Sequence, residues 1–205
     1  MTSTGAVEKL VTKYAEYLAL EAASPVKMQF VDGVVYAMAG GSPAHAHLVA
    51  EMIIALGVLL RRAKGHCRVF TADLKIHVPA LGDSCYPDAS VVCGQPELAA
   101  VDANAVINPI MLVEVLSDST ESYDRGKKFR AYRRLPSLRH YLVASQDEAR
   151  LEHCRRNDDG TWTLTIAEAG AKVALPGRRP RGRRPVRGGG VRSGLRGWRG
   201  RSEAR

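Results

Sequence analysis

The sequence lacks the short motifs that mark several common enzyme classes. It contains no G-x-x-x-x-G-K-[ST] phosphate loop and no G-x-S-x-G nucleophile turn, which argues against P-loop and serine-hydrolase functions. No apolar segment follows the first residues, so we expect no signal peptide and a cytoplasmic location. The longest stretch without a charged side chain, residues 33–50, contains Gly40, Gly41, Pro43 and two histidines, so we expect no membrane span.

Cysteine is scarce as well. No two of the four cysteines have C-x-x-C spacing, which argues against a zinc ribbon and a dithiol redox motif. We therefore expect reduced thiols that pack inside the protein, at Cys67, Cys85, Cys93 and Cys154.

The positive charge of the chain is concentrated near its end. The formal net charge of the 205 residues is +9. Residues 178–205 hold eleven of the 30 basic residues and one of the 21 acidic residues, which leaves 19 basic and 20 acidic residues elsewhere. The rest of the chain is therefore close to neutral, and the total charge does not argue for nucleic-acid binding by the folded part.

The periodicity of apolar residues predicts one α/β domain over residues 1–176. Asp32-Gly33 predicts a tight hairpin turn, and Ser42 is the predicted N-cap of the most amphipathic helix. The fold class is α/β, with a mixed central sheet, an N-terminal helix plus β-hairpin, and extra C-terminal strands. The predicted elements are helices 7–21, 45–63 and 120–135, and strands 28–31, 34–38, 68–78, 88–93, 109–116, 140–144, 149–155 and 161–166.

The apolar periodicity ends near residue 177, and arginine, glycine and proline dominate from there on. Such a segment buries too little apolar surface to offset its ordering entropy, so we expect residues 177–205 to be disordered. Two interpretations stay open. The tail is either an arginine-rich arm that binds phosphate backbones, or the product of a shifted reading frame, which the abrupt change in composition favours.

Two carboxylates stand in apolar strands, where an unpaired charge is costly. Asp88 follows Pro87 and opens one strand, and Glu114 lies in the middle of another. Two such carboxylates on neighbouring strands can share a hard cation such as Mg²⁺, and Lys127 and Lys128 lie on the helix that follows. Carboxylates and a lysine around Mg²⁺ are the usual components of phosphodiester hydrolysis.

The order of these motifs resembles a known nuclease family. Pro87-Asp88 and, 26 residues after Asp88, Glu114-Val115-Leu116 are similar to the PD-(D/E)XK signature. The whole chain over about residues 12–176 resembles the Uma-two family of restriction-endonuclease-like proteins. The segments that carry the resemblance are Val31-Asp32-Gly33, Met38-Ala39-Gly40-Gly41-Ser42-Pro43, Tyr86-Pro87-Asp88, Val113-Glu114-Val115-Leu116-Ser117, and the runs 123–129 and 132–138.

The resemblance implies a restriction-endonuclease-like core of order α-β-β-β-α-β and a metal-dependent endonuclease that hydrolyses DNA. It implies that Asp88, Glu114 and the Val115 carbonyl hold Mg²⁺, with Mn²⁺ as a substitute. A homodimer is plausible because cleavage of two strands often needs two sites. The alternative is a catalytically inactive nuclease-fold domain that binds nucleic acid or protein, since a fold does not establish an activity.

The lysine of the motif is the main departure from the family pattern. Leu116 stands where the signature has lysine, and an apolar side chain cannot activate water. The resemblance points to Lys128 on the next helix as the replacement, and Lys75 is the second candidate. For Lys128 the structural alternative is an ion pair with Asp124, four residues earlier on a solvated helix face.

Three further residues are weaker candidates for the neighbourhood of the site. His45 lies on the apolar face of its helix, where a half-buried structural histidine is the commoner case. Glu51 lies on the flank of the same helix, and Asp73 lies on the polar face of a predicted strand. Solvated carboxylates are the ordinary interpretation of both.

Overall fold

The computed structural model describes residues 8–10, 13–38, 40–117, 120–174 and 190–192. The third helical region, residues 121–132, is one continuous helix whose middle, Asp124–Lys128, is π-helical. The helices are α1 (Tyr14–Ala23), α2 (Pro43–Arg62), α3 (Glu121–Tyr123) and α4 (Phe129–Tyr132), with the π-helical segment between the last two. The strands are β1 (Glu8–Leu10), β2 (Met28–Val31), β3 (Val34–Ala37), β4 (Cys67–Thr71), β5 (Lys75–Val78), β6 (Asp83–Cys85), β7 (Ala89–Cys93), β8 (Leu98–Ala99), β9 (Asp102–Val106), β10 (Pro109–Val115), β11 (His140–Ala144), β12 (Leu151–Arg156), β13 (Trp162–Ala167), β14 (Lys172–Ala174) and β15 (Gly190–Arg192).

The central sheet has the order β13-β12-β11-β10-β7-β4, and only β10 and β11 run parallel. Alternate residues of β10 face opposite sides, as the two-residue period of a strand requires. Met111 and Val113 pack with Met52 and Leu56 of α2 on one side. Leu112 packs on the other side with residues of the α3–α4 region. The sheet is therefore covered by a helix on each face.

A second sheet, of order β1-β3-β2-β6-β5-β9-β8, is mixed as well, since β5 and β9 pair in parallel. Helix α1 lies against it, and the buried ring of Tyr17 stacks on Phe30 of β2. Asp32 and Gly33 both have positive φ, 54° and 76°, as the predicted hairpin turn needs. The N-cap prediction is also confirmed, because Ser42 Oγ accepts a hydrogen bond from the backbone nitrogen of His45 at 3.1 Å.

The predicted α-β-β-β-α-β core is present as α2, β4, β7, β10, the α3–α4 helix and β11, but one predicted strand is wrong. Residues 68–78 do not form a single strand, because the chain turns between Thr71 and Leu74, whose backbone nitrogen donates to the Thr71 carbonyl at 3.1 Å. The turn sends β4 to the central sheet and β5 to the second sheet. The alternation of apolar residues continued through the turn, so the sequence pattern did not reveal it.

Other boundaries differ from prediction as well. Residues 8–10, predicted as helix, form β1, and α1 begins only at Tyr14. Strands β6, β8 and β9 were not predicted. β6 and β8 have three and two residues, and β9, with the sequence DANAV, has no apolar run. Of the predicted tail, only Gly190–Arg192 is described, and it pairs antiparallel with Lys172–Ala174. The remaining residues for which disorder was predicted lie outside the described part of the chain.

Two observations concern the cysteines and the possibility of a membrane span. Cys67 and Cys93 stand opposite each other on β4 and β7 and form a disulfide, which the expectation of packing thiols missed. Cys85 and Cys154 are free. Helix α2 is long enough and apolar enough, with a mean hydropathy of 1.7, to meet the requirements for a membrane span. A core helix that packs on a sheet meets the same requirements, so length and composition alone are weak evidence for a membrane span.

Candidate active site

The register of the central sheet brings Asp88 to the end of β10. Ala89 pairs with Val113 across β7 and β10, so Asp88 lies beside the last residues of β10. The backbone nitrogen of Val115 donates a hydrogen bond to Asp88 Oδ2 at 2.7 Å. The two carboxylate-bearing strands are thus direct neighbours, and one carboxylate is fixed to the residue that follows Glu114.

Glu114 points to the face of the sheet that the α3–α4 helix covers, and it is almost completely buried. Its Oε1 lies 2.9 Å from Lys128 Nζ and accepts a hydrogen bond from the Tyr132 hydroxyl at 3.2 Å. Burial raises the pKa of Glu114 well above its usual range, and the ammonium of Lys128 opposes that rise. Without Lys128 the carboxylate would have little reason to stay ionised.

Lys128 lies in the π-helical segment, and the same segment supplies a second carboxylate. Lys128 Nζ is 3.2 Å from Asp124 Oδ1, and both side chains are buried. Burial disfavours the charged ammonium, but Glu114 and Asp124 outweigh it and raise the pKa of Lys128. From the sequence, Asp124 was expected only as an ion-pair partner of Lys128 on a solvated helix face. The wider turn of a π-helix, common at functional sites, is a local feature that apolar periodicity does not reveal.

His45 reaches the same strand end from the opposite side, near the start of α2. Its Nε2 lies 3.0 Å from the carbonyl oxygen of Val115 and 3.4 Å from Asp88 Oδ2. The interaction with Asp88 raises the pKa of His45, and burial opposes the rise. The side chains of His45 and Asp88 are 18% and 17% exposed, whereas those of Lys128 and Glu114 are 5% and 3% exposed. Solvent therefore reaches the site from the His45 side.

Lys75 is not brought to this site. It lies in the second sheet, where its ammonium pairs with Glu21 and with Asp102 Oδ2, the latter at 2.8 Å. The rings of Tyr17 and Tyr86 flank it at 5.2 and 5.8 Å. Lys75 thus completes a buried polar cluster that ties α1 to the second sheet.

The two remaining candidates show no link to the site. Asp73 is exposed in the turn between β4 and β5 and pairs with Lys27 at the surface. Glu51 is half-buried on α2, and its side chain makes no hydrogen bond or ion pair with the other described residues. Tyr132 was not identified from the sequence, although its place four residues after Lys128 on one helix face was a usable signal.

The donors at the strand end are chemically suited to a divalent cation only if a backbone oxygen takes part. No group of three or more His, Cys, Asp or Glu side chains in the described part of the chain is arranged to hold a metal ion. The available donors are the carboxylate of Asp88, the carbonyl of Val115 and the buried carboxylate of Glu114. Oxygen donors of this kind suit Mg²⁺ and Mn²⁺.

A family model described as "Uma2: Putative restriction endonuclease" matches residues 14–179. The chain belongs to the Uma2 family. The match includes every residue of the site, from His45 to Tyr132. The resemblance seen in the sequence motifs is thereby confirmed at the level of the family.

Two curated relatives of this Uma2 chain come from Synechocystis sp. and are named uncharacterized proteins, slr1290 and sll1609. They are 34% and 32% identical over 160 residues, which is 78% of this chain and 82% and 89% of theirs. A crystal structure from Anabaena variabilis, titled as a putative nuclease belonging to DUF820, matches with a TM-score of 0.66 at 16% identity. The match covers 80% of this chain and 89% of that one, and it establishes a shared fold.

Proposed function

We propose that this chain is a metal-dependent endonuclease that hydrolyses phosphodiester bonds in DNA. The observation that carries the proposal is the convergence of Asp88, Glu114 and Lys128 on the end of β10. The main chain of Val115 joins them, because Asp88 accepts its N–H while the preceding side chain, Glu114, pairs with Lys128. The carboxylate of Asp88 and the Glu114–Lys128 ion pair are thus both held next to the last two residues of β10.

Asp88, Glu114 and the Val115 carbonyl are the residues that would hold Mg²⁺ or Mn²⁺. When bound, such an ion lowers the pKa of a water molecule and neutralises charge on a phosphate. Of these donors, the carboxylate of Asp88 is the most exposed, at 17% of its side chain, and it is the one that a phosphodiester can approach. Glu114 lies beneath them, held by Lys128 and Tyr132.

In this arrangement Lys128 acts as a positioning residue. Its ammonium is buried and paired with Glu114 and Asp124, so it supports the negative charge of Glu114 instead of meeting solvent. The motif lysine replaced by Leu116 would have come from the strand itself. Lys128 instead brings its positive charge to Glu114 from the helix that covers the strand.

The second candidate function is a nuclease-fold domain that binds DNA without cutting it. The specific observation in its favour is the burial of Glu114 and Lys128, which leaves little of either accessible to a substrate. The two candidates differ in one respect, whether bound DNA is cleaved when a divalent cation is present.

Cleavage of supercoiled plasmid with Mg²⁺ or Mn²⁺ tests the proposal. The informative variant is Asp88→Asn, because the amide oxygen can still accept the N–H of Val115 while the charge is lost. The matched control is Asp73→Asn at an exposed carboxylate. We expect cleavage by the wild type and by Asp73→Asn, none with chelator, and a loss of about 100-fold or more in Asp88→Asn. DNA binding without cleavage under every cation condition would favour the binding domain.

A further inference from the structure

We propose that His45 is itself a ligand of the divalent cation and that its nitrogen shifts the preference of the site from Mg²⁺ towards Mn²⁺. This inference rests on the proposed function, since it concerns the cation of that same site. It assigns a role to the only histidine in the described part of the chain that contacts Asp88.

The distances from His45 Nε2 to its two oxygen neighbours are close to those between neighbouring corners of a coordination octahedron. His45 Nε2 lies 3.0 Å from the Val115 carbonyl oxygen and 3.4 Å from Asp88 Oδ2. Adjacent ligands on an octahedral ion with bonds of about 2.0–2.1 Å are separated by about 3 Å. The imidazole nitrogen therefore already stands where a third ligand would stand.

The ring of His45 is held in this position by the loop before α2. Ser42 Oγ accepts the backbone N–H of His45, which fixes the first turn of the helix. A Cβ atom placed on Gly41 would lie 2.6 Å from His45 Nδ1 and 3.0 Å from its Cγ. The absence of a side chain at Gly41 thus makes room for the ring and directs Nε2 towards Asp88 and Val115.

The chemistry of the donor set follows from the added nitrogen. Mg²⁺ takes oxygen ligands almost exclusively, whereas imidazole suits first-row transition metals better. Asp88 and the Val115 carbonyl supply hard oxygen donors that accept either ion. Without a cation, Nε2 carries a proton and donates a hydrogen bond to the Val115 carbonyl. Coordination uses the lone pair of Nε2 instead, so the ring would bind the cation in the neutral form with its proton on Nδ1. A mixed set of nitrogen and oxygen donors therefore discriminates between the two cations where oxygen donors alone would not.

Direct binding of MnCl₂ and MgCl₂ to the full chain tests the inference without an activity assay. Isothermal titration calorimetry gives both affinities, and electron spin-echo envelope modulation of bound Mn²⁺ detects a coordinated imidazole nitrogen. The variant is His45→Gln, which can still donate a hydrogen bond to the Val115 carbonyl. The control is His47→Gln, at an exposed histidine two residues along the same helix.

We expect ¹⁴N modulation in the wild type and in His47→Gln, and none in His45→Gln. The Mn²⁺ affinity of His45→Gln should fall about ten-fold or more, and its Mg²⁺ affinity by less than about three-fold. Bound Mn²⁺ without ¹⁴N modulation in the wild type would overturn the role of His45 and leave the metal site intact. A wild type that binds neither cation would remove both this inference and the metal dependence of the proposed function.

Discussion

Replacing Lys128 by methionine tests the central ion-pair arrangement of the site. Lys128 Nζ lies 2.9 Å from Glu114 Oε1 and 3.2 Å from Asp124 Oδ1, and all three side chains are at most 5% exposed. Methionine has nearly the same length and fills the same space. The change therefore removes the charge without leaving a large cavity, and it leaves two buried carboxylates without their cation.

The expected destabilisation follows from the burial of those carboxylates. Removing one partner of a buried ion pair costs about 3–5 kcal/mol, because the remaining charge is left uncompensated. For a chain of this size, that loss lowers the melting temperature by roughly 6–20 °C. Protonation of Glu114 can relieve part of the cost, because burial already raises its pKa.

Urea denaturation followed by circular dichroism measures the effect as the free energy of unfolding. Lys127→Met is the matched control, because Lys127 is the neighbouring residue and is exposed. The free energy of unfolding of this control should stay within about 0.5 kcal/mol of the wild-type value. The double variant Lys128→Met, Glu114→Gln should recover part of the loss, because one of the two unpaired charges is gone. A Lys128→Met protein within about 1 kcal/mol of the wild type would refute the buried pairing.

Three further predictions concern other parts of the molecule. Burial lowers the pKa values of His140 and His153, which hydrogen-bond to each other at 2.9 Å, to about 4. The contribution of the two neutral rings to stability is therefore complete above about pH 6.5. The free energy of unfolding should fall by up to about 3 kcal/mol per ring as the pH decreases towards 4. Replacing both by glutamine should flatten this part of the profile, and an unchanged slope would contradict the assignment. Gly41→Ala should displace the ring of His45 and weaken Mn²⁺ binding in calorimetry; unchanged affinity would mean that the loop does not hold the ring. Lys75→Met should destabilise the chain by about 3–5 kcal/mol in urea, yet leave DNA cleavage per folded molecule unchanged, whereas a loss of cleavage would return Lys75 to the site.

The strand hairpin and the main helix could be predicted because their determinants are local. Asp32-Gly33 adopts the left-handed conformations that the turn requires, and Ser42 caps the helix through an atom three residues away. The apolar faces of α2 and β10 follow from periods of 3.6 and two residues. The turn at residues 71–74 could not be predicted in the same way, because the pattern of apolar residues continues across it.

For the site, the sequence determined which carboxylates are exceptional. Asp88 and Glu114 stand in apolar strands, and a charge in such a strand needs a partner whatever the fold. The motif order also determined the family, which the family match then established. These conclusions depend only on residue types and spacing along the chain.

Only the tertiary structure decided which groups those carboxylates meet. Lys75 and Lys128 are both lysines near apolar residues. Strand pairing brings Lys75 to Asp102 in the second sheet, whereas the packing of a helix on the central sheet brings Lys128 to Glu114. His45 meets Val115 across 70 residues of sequence because α2 covers the end of β10. Contacts of that kind depend on sheet register and helix packing, which no local pattern in the sequence encodes.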